Sequence, residues 1–424
     1  MSRRYLIVAV TAVAALWMYI DRVCFSTLTP FIQTDLGMTA GQNASILGAF
    51  FLTYALCQIP VGMLADRYGP RLVLTIAIAA WSSVTMATGF AGSFAALLAI
   101  RLLLGVTEAG AYPAAAGLIK NWARPYERGR LSSVVALGGR VGGAIAPKLT
   151  TALWGLLTAW GVVAVFDAPG ADWRCIFVLY GLCGLLVAAF FWLLVRDRPD
   201  SDASPPAHAH PFWNELRPLM LSIMRLARSR MMWLFGLVQL GVNIGWAFLI
   251  TLLPAYLWER FSVGPDDRGT MQSVILATGC AGMVVGGLTT DWFRLLLGPR
   301  WGRALPLGLT STGCAVLCFL VSAVTDPWVV TGLLAAMAFL VDLSVPCIWA
   351  FAQDVGGRKV GAALGWGNMW GNLAAWQSPI LLTQVKLQAG WDVAFIVSGG
   401  FFVLAALCGL SLDARRPVDP ADAN

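Results

Sequence analysis

Apolar residues in this chain gather in long runs rather than alternating with polar ones. The runs recur at 5–28, 44–65, 71–91, 94–119, 130–153, 174–195, 231–257, 270–292, 304–323, 327–351, 361–385 and 391–411. An α-helix needs ~20 apolar residues to cross a hydrocarbon layer about 30 Å thick, and these runs have that length. The pattern predicts twelve membrane-spanning helices joined by short polar loops. One stretch strains the count. Segment 154–173 begins apolar, from Trp154 to Phe166, and then meets Asp167, Pro169, Gly170 and Asp172.

The distribution of charge decides between twelve and thirteen. With twelve spans and the N-terminus inside, 21 of the 29 basic residues fall in inner segments and 5 in outer ones, the other 3 lying within helices. Lysine and arginine accumulate on the cytoplasmic side of membrane proteins, and an extra span at 154–173 would put the basic central loop outside. The sequence therefore predicts twelve spans, both termini cytoplasmic, in the cell's inner (plasma) membrane. Composition agrees. Charged residues make up 12% of the chain and hydrophobic ones 58%, with a mean hydropathy of +0.73, whereas a soluble domain carries about 25% charge. This excludes a soluble globular domain, a disordered chain, a disulfide scaffold and a nucleic-acid-binding domain.

The nine cysteines lie mostly inside apolar runs without metal-ligand spacing, so they read as small packing residues. Both histidines, His208 and His210, fall in one polar loop. No metal and no cofactor is expected. Arg3-Arg4 before an apolar run resembles a signal peptide, but the run continues through Trp17, Asp21 and Arg22 without a cleavage site, so it reads as a retained first helix.

The central segment 196–230 is rich in Pro, Ser, Asp and His at 199–211 and then becomes basic and amphipathic. It divides the chain into an N-terminal six-helix half (1–195), a cytoplasmic central loop (196–230) and a C-terminal six-helix half (231–424) with a short cytoplasmic tail. The halves echo each other: Gly62-Met-Leu-Ala-Asp66-Arg67 follows the second span and Gly287-Leu-Thr-Thr-Asp291-Trp292 follows the eighth. Such repeats are common in secondary transporters. Pro60, Pro113, Pro147, Pro254, Pro346 and Pro379 sit inside spans, where proline kinks a helix.

Gly62-Met-Leu-Ala-Asp66-Arg67-Tyr-Gly69-Pro-Arg71 resembles the loop between the second and third helices of the major facilitator superfamily. Further stretches resemble its anion:cation symporter family, whose members carry sugar acids, aromatic carboxylates and other organic anions. These are Asp21-Arg22, then Arg101-Leu-Leu-Leu-Gly-Val-Thr-Glu108-Ala-Gly-Ala-Tyr-Pro113 towards Asn121-Trp122, then Asn243-Ile-Gly-Trp246 with Leu253-Pro254-Ala-Tyr256. The last runs from Asp342 through Trp349 to Gln353-Asp354-Val-Gly-Gly357 and on to Gly365-Trp-Gly-Asn368. The resemblance implies an all-α membrane protein, twelve transmembrane helices in two six-helix pseudo-symmetric halves, with a central anion site.

Six ionisable residues lie at membrane depth: Asp21, Arg22, Arg101, Glu108, Arg140 and Asp342. Each costs about 2.5–3.5 kcal/mol at a helix centre on insertion scales, so they need pairing, hydration or a task. Arg101 and Glu108 are seven apart, ~20° short of two full turns, and so share a helix face ~10 Å apart. They brace neighbouring helices, or Arg101 contacts substrate while Glu108 exchanges a proton; matching positions in the family serve anion recognition and proton coupling. Consecutive Asp21 and Arg22 diverge by ~100°, so one can face a cavity and the other a neighbouring helix. In the family the arginine of this pair is linked to the anion and the aspartate to protonation or conformational coupling. A purely structural ion pair is the alternative for Asp21.

Arg140, within Gly138-Gly139-Arg140-Val-Gly142-Gly143, departs from the family, where an uncharged polar residue commonly stands. It could bind a second carboxylate or neutralise Asp21 or Glu108. Asp342 reads as structural. Tyr54, Asn243, Trp246, Trp349, Asn368, Asn372 and Gln377 are candidates to line a substrate cavity. Asp66, Arg67, Arg71 and Asp291 belong to inner loops, where the resemblance implies gating.

The function expected is import of an organic anion, such as a hexonate, a hexuronate or another carboxylate, by proton-coupled symport and alternating access. Sodium coupling stays open, as do exchange of the phosphate/organophosphate type and a non-transporting receptor of the same fold. The expected partners are the small anion, the proton and the lipid bilayer, with no nucleic acid, and the expected state is a monomer. No nucleophile–base motif and no nucleotide-binding loop appears, so an enzyme or an ATP-driven pump is not expected.

Overall fold

The computed structural model describes residues 3–159, 173–198 and 216–418. Most of the ambiguous 154–173 stretch and the Pro/Ser-rich part of the central loop, with both histidines, lie outside the described residues. Within them the chain is helical and no strand occurs. In order the helices are α1 (Arg3–Asp35), α2 (Ala40–Tyr68), α3 (Pro70–Thr88), α4 (Phe94–Glu108), α5 (Ala111–Trp122), α6 (Arg128–Ala159) and α7 (Trp173–Leu194). They continue with α8 (Leu216–Arg228), α9 (Arg230–Thr251), α10 (Leu253–Phe261), α11 (Pro265–Val321), α12 (Pro327–Val355) and α13 (Val360–Leu410).

Nine segments among the described residues are long and apolar enough to cross a membrane, α4 and α5 together making one of them. Two of the nine cross twice. The backbone leaves helical geometry at Gly298 of α11 (φ 72°, ψ −173°) and at Gly390 of α13 (φ 86°, ψ 173°), conformations that a residue without a Cβ adopts freely. Helix α6, 32 residues long and carrying Arg140 and Lys148, supplies the twelfth crossing.

Local chemistry fixes the helix ends. Thr39 and Gln42 form a reciprocal cap at the start of α2, and Asp326 accepts from the backbone N–H groups of Trp328 and Val329 at the start of α12. At the turn between α2 and α3, Gly69 has φ 90°. The Asp197 carboxylate lies against its Cα while accepting the Arg71 N–H at 2.7 Å, so a side chain at 69 would meet both strain and a clash. Burial pushes the Asp197 carboxyl up, against the opposing pull of that N–H.

The described chain forms two compact units. The first comprises Met1–Trp122 and Val134–His208, the second Ala123–Ser133 and Ala209–Asn424. In the first, α1 and α3 pack on α7, and α2 packs on α4. Ile20, Cys24, Phe25, Leu28, Trp173, Phe177 and Tyr180 form its buried seam. In the second, α11 packs on α12 and α13, and α13 on α9.

Two packing devices repeat between the units. Gly138 and Gly142, one turn apart on α6, lie on the backbone of Ala12 and Leu16 in α1. Gly367 and Gly371, one turn apart on α13, make room instead for side chains of α9, the Phe235 ring and the Asn243 amide. Small residues let helices approach closely in a membrane. Likewise, Trp173 Nε1 donates to Asp35 at 3.2 Å beside an Arg174–Asp35 ion pair, and Trp391 Nε1 donates to Glu259 at 3.0 Å beside Lys386. In each unit the last crossing thus begins on a tryptophan tied to an acid, Asp35 at the end of α1 in the first and Glu259 on α10, the short helix after α9, in the second. The Lys386 ammonium holds the Glu259 carboxyl below the usual carboxylate range.

Candidate functional site

Helix α1 presents Asp21 and Arg22 in different directions. The Arg22 guanidinium reaches Glu108, the last residue of α4, with Nη2 at 2.6 Å and Nε at 3.2 Å from the same oxygen, Oε2. Its carbon lies 5.0 Å from the Tyr19 ring centroid, 4.8 Å from Phe50 and 4.7 Å from Tyr54. Tyr54 is buried and stacks on Phe50 at 5.4 Å. An aromatic shell thus holds the cation while desolvating it. Glu108 is fully buried, and among the described residues its other oxygen, Oε1, has no hydrogen-bond partner.

Arg101 sits two turns before Glu108 on the same helix. Only 4% of it is exposed. Its guanidinium carbon lies 3.3 Å from the Phe25 ring centroid, and among the described residues it makes no hydrogen bond and no ion pair. Its Nε is buried without an acceptor. A guanidinium offers five donors in a planar fork, and leaving them dry at membrane depth is costly. The face shared by Arg101 and Glu108 therefore holds one paired carboxylate and one unmatched cation.

Asp21 points the other way, into the seam of α1 with α3 and α7, where its charge reaches Cys183 and Tyr180 of α7. It is 1% exposed, and neither oxygen has full hydrogen-bond geometry, with the Trp81 indole N–H the donor beside it. Arg140 is half-buried on α6, and its neighbours Gly139 and Gly143 rest on Tyr19, the ring beside Arg22. The structure thus brings Arg22, Tyr54 and Glu108 into contact, keeps Arg101 two turns away on the same face of α4, and turns Asp21 toward α3 and α7.

In the second unit Asn243 and Asn368 are linked by a residue the sequence reading did not single out. Asn243 Nδ2 donates to the Gln239 carbonyl at 2.8 Å, and Gln239 Nε2 donates to Asn368 Oδ1 at 2.9 Å. The only sequence signal for Gln239 is its position one turn before Asn243. Asn372 Nδ2 donates to the Asn368 carbonyl. Trp246 is half-buried, Trp349 buried and Gln377 exposed. Asp342 is 1% exposed on α12, its carboxylate against Gly279 of α11.

The inner-loop residues separate into two groups. Asp66 and Arg67 are half-buried near the end of α2. Arg71 stacks over the Trp192 ring at 3.9 Å and donates to the Trp192 carbonyl, contacts that stay within its own unit. Asp291 accepts from the backbone N–H of Gly129 (2.9 Å) and of Arg130 (3.0 Å) and from Arg130 Nε (3.2 Å), a carboxylate at the positive end of a helix.

Beside it lies a cluster the sequence hid. Asp354 pairs with Arg128 and with Arg303 Nε at 2.8 Å, with Arg294 at 3.9 Å. Arg303 is fully buried and also donates to the carbonyls of Thr290 (3.1 Å) and Pro125 (3.4 Å). In sequence it looks like one more loop arginine. Removing one partner of a buried pair costs about 3–5 kcal/mol. Asp354→Asn is therefore expected to lower the thermal unfolding midpoint of the purified protein sharply. An unchanged midpoint would show that the carboxylate is not what holds Arg303.

The described residues define a polytopic helical membrane protein with buried cations and carboxylates at the centre of its crossings. It belongs to the major facilitator superfamily, whose family model matches residues 11–379, and it is a membrane transporter of that family. Its relatives include a probable sulfoacetate transporter, SauU, of Cupriavidus necator, 28% identical over 99% of this chain and 96% of that one. A hexuronate transporter of Bacillus subtilis is 27% identical over 92% of this chain and 90% of that one. Among solved structures, the human organic anion transporter MFSD10 (TETRAN) has the same fold, with a TM-score of 0.72 at 18% identity over 96% of this chain and all of that one.

Proposed function

We propose that the protein imports a small organic anion bearing a carboxylate, of the sugar-acid kind or close to it, by proton-coupled symport and alternating access. The observation that supports this is Arg101, a buried guanidinium without a counter-anion among the described residues, on the same helix face as the Arg22–Glu108 pair. Arginine's planar fork suits a carboxylate, which it binds through two parallel hydrogen bonds. The related proteins named for sulfoacetate and hexuronate support the same substrate chemistry, since both of those compounds carry a carboxylate.

Coupling follows from competition for Arg22. While Glu108 is ionised it occupies Arg22. A proton on Glu108 neutralises it and frees Arg22 for the incoming anion, so proton and anion bind together. Asp21 is assigned a second protonation role, Asn243, Trp246 and Asn368 substrate contacts, and Arg140 a further anion contact. Asp66, Arg67, Arg71 and Asp291 are assigned to gating. The bias of basic residues to alternate loops supports cytoplasmic termini and a location in the inner membrane, for a monomer of two halves, 1–195 and 231–424, joined by a cytoplasmic loop.

The test uses vesicles holding purified protein and no internal counter-substrate, with an inward proton gradient and a panel of labelled hexuronates, hexonates and sulfoacetate. Accumulation above the external concentration, abolished by a protonophore, is expected. Movement only when the vesicles are preloaded with a counter-anion would replace symport by exchange.

A further inference from the structure

Helix α8 does not form part of any site described above, and its outward face is unusual. Among its described side chains Leu226 is buried, at 1% exposure, whereas Met220, Leu221 and Met224 are exposed at 63%, 46% and 46%. Arg225 and Arg228 are exposed as well, and so is Arg230 just beyond the helix. At 100° per residue, Met224 and Arg228 each lie ~160° from Leu226 and ~40° from one another. Methionine and arginine therefore share one outward arc. Water alone does not suit the thioether side chains, and hydrocarbon alone does not suit the guanidinium groups. A lipid–water boundary suits both, with apolar groups entering the acyl region and arginines reaching the headgroups.

The fold also fixes which way this arc points. Trp233 Nε1 of α9 donates to the Ala227 carbonyl of α8 at 2.7 Å, and the Ser229 N–H donates to the Leu226 carbonyl at 3.1 Å. Trp233 is packed in turn against Trp366 (5.3 Å) and Trp370 (5.4 Å) of α13, and Trp366 Nε1 donates to the Met232 carbonyl at 2.8 Å. Helix α8 is thus tied to the start of α9 by Trp233, itself held in a cluster of tryptophans, residues that favour the membrane interface.

We propose that α8 is an in-plane surface helix that docks on anionic phospholipid headgroups, with Met220, Leu221 and Met224 in the acyl boundary and Arg225 and Arg228 on the phosphates. The partner is chosen by charge. Among the described residues the exposed ionisable groups on this arc are arginines, and the membrane leaflet facing basic loops is rich in anionic lipid.

The test is amide hydrogen exchange on the full-length protein in phosphatidylcholine vesicles with and without added phosphatidylglycerol, a readout that requires no transport. Exchange over 220–228 is expected to slow several-fold when phosphatidylglycerol is present. The Arg225→Gln/Arg228→Gln protein should lose that protection, and the Arg225→Lys/Arg228→Lys protein should keep most of it. Equal exchange in the two lipid mixtures would overturn the proposal for the parent protein alone, whatever the variants do. Protection by soluble polyglutamate but not by phosphatidylglycerol would also overturn it, in favour of an acidic protein partner.

Discussion

Glu108→Gln protein is expected to exchange labelled for unlabelled substrate across a membrane, yet to fail to concentrate it when only a pH difference is imposed. Glutamine is the neutral shape of a protonated glutamate, so the variant is held in the state in which Arg22 is free. In the parent, Glu108 Oε2 takes two donors of Arg22, and a substrate carboxylate cannot use those donors until that bond is given up. In the proposed coupling, a proton supplies the release. With glutamine at 108, anion binding no longer requires a proton, so the gradient has nothing to drive. Counterflow should remain near the parent rate while accumulation falls to equilibration. Accumulation that survives the substitution would remove Glu108 from the coupling step and leave the Arg22–Glu108 bond as a brace.

Much of this architecture is legible in the chain. The twelve crossings follow from run length and from the bias of arginines to one side, because a bilayer imposes both. The shared face of Arg101 and Glu108 follows from helical periodicity, and the divergence of Asp21 from Arg22 follows from adjacency. The choice of partners does not. Arg22 and Glu108 are 86 residues apart, and either Arg22, Arg101 or Arg140 could have met that carboxylate. Which one does depends on how α1 packs against α4, a property of side-chain shape across two helices. Arg303 was hidden for a different reason: a short polar turn between two crossings looks solvated, whereas the break at Gly298 folds it back until Arg303 is fully buried on Asp354. Gln239 was hidden because an amide inside an apolar run carries no charge to flag it.

Arg101 carries the second large effect. Among the described residues it has no counter-ion, and its burial there is offset by the Phe25 ring, a contact of about 0.5–2 kcal/mol. Its value appears when an anion arrives. A hydrogen bond to a charged group contributes about 1.5–3 kcal/mol, so losing one of two parallel bonds weakens binding by roughly 10- to 100-fold. Arg101→Lys keeps the charge and loses the fork, and should fall in that range. Arg101→Gln loses both and should fall further. A residue that merely braced two helices would behave in the opposite way, since its removal would damage the empty protein first.

Ligand-dependent thermal unfolding of the purified parent and Arg101→Gln proteins, screened against hexuronates, hexonates and sulfoacetate, separates these roles in one experiment. A guanidinium that waits for an anion predicts a parent midpoint raised by one class of acid. The variant should then have an empty-state midpoint unchanged or higher and no response to that acid. A variant that still responds to the same acid, or one whose empty-state midpoint collapses, would contradict it.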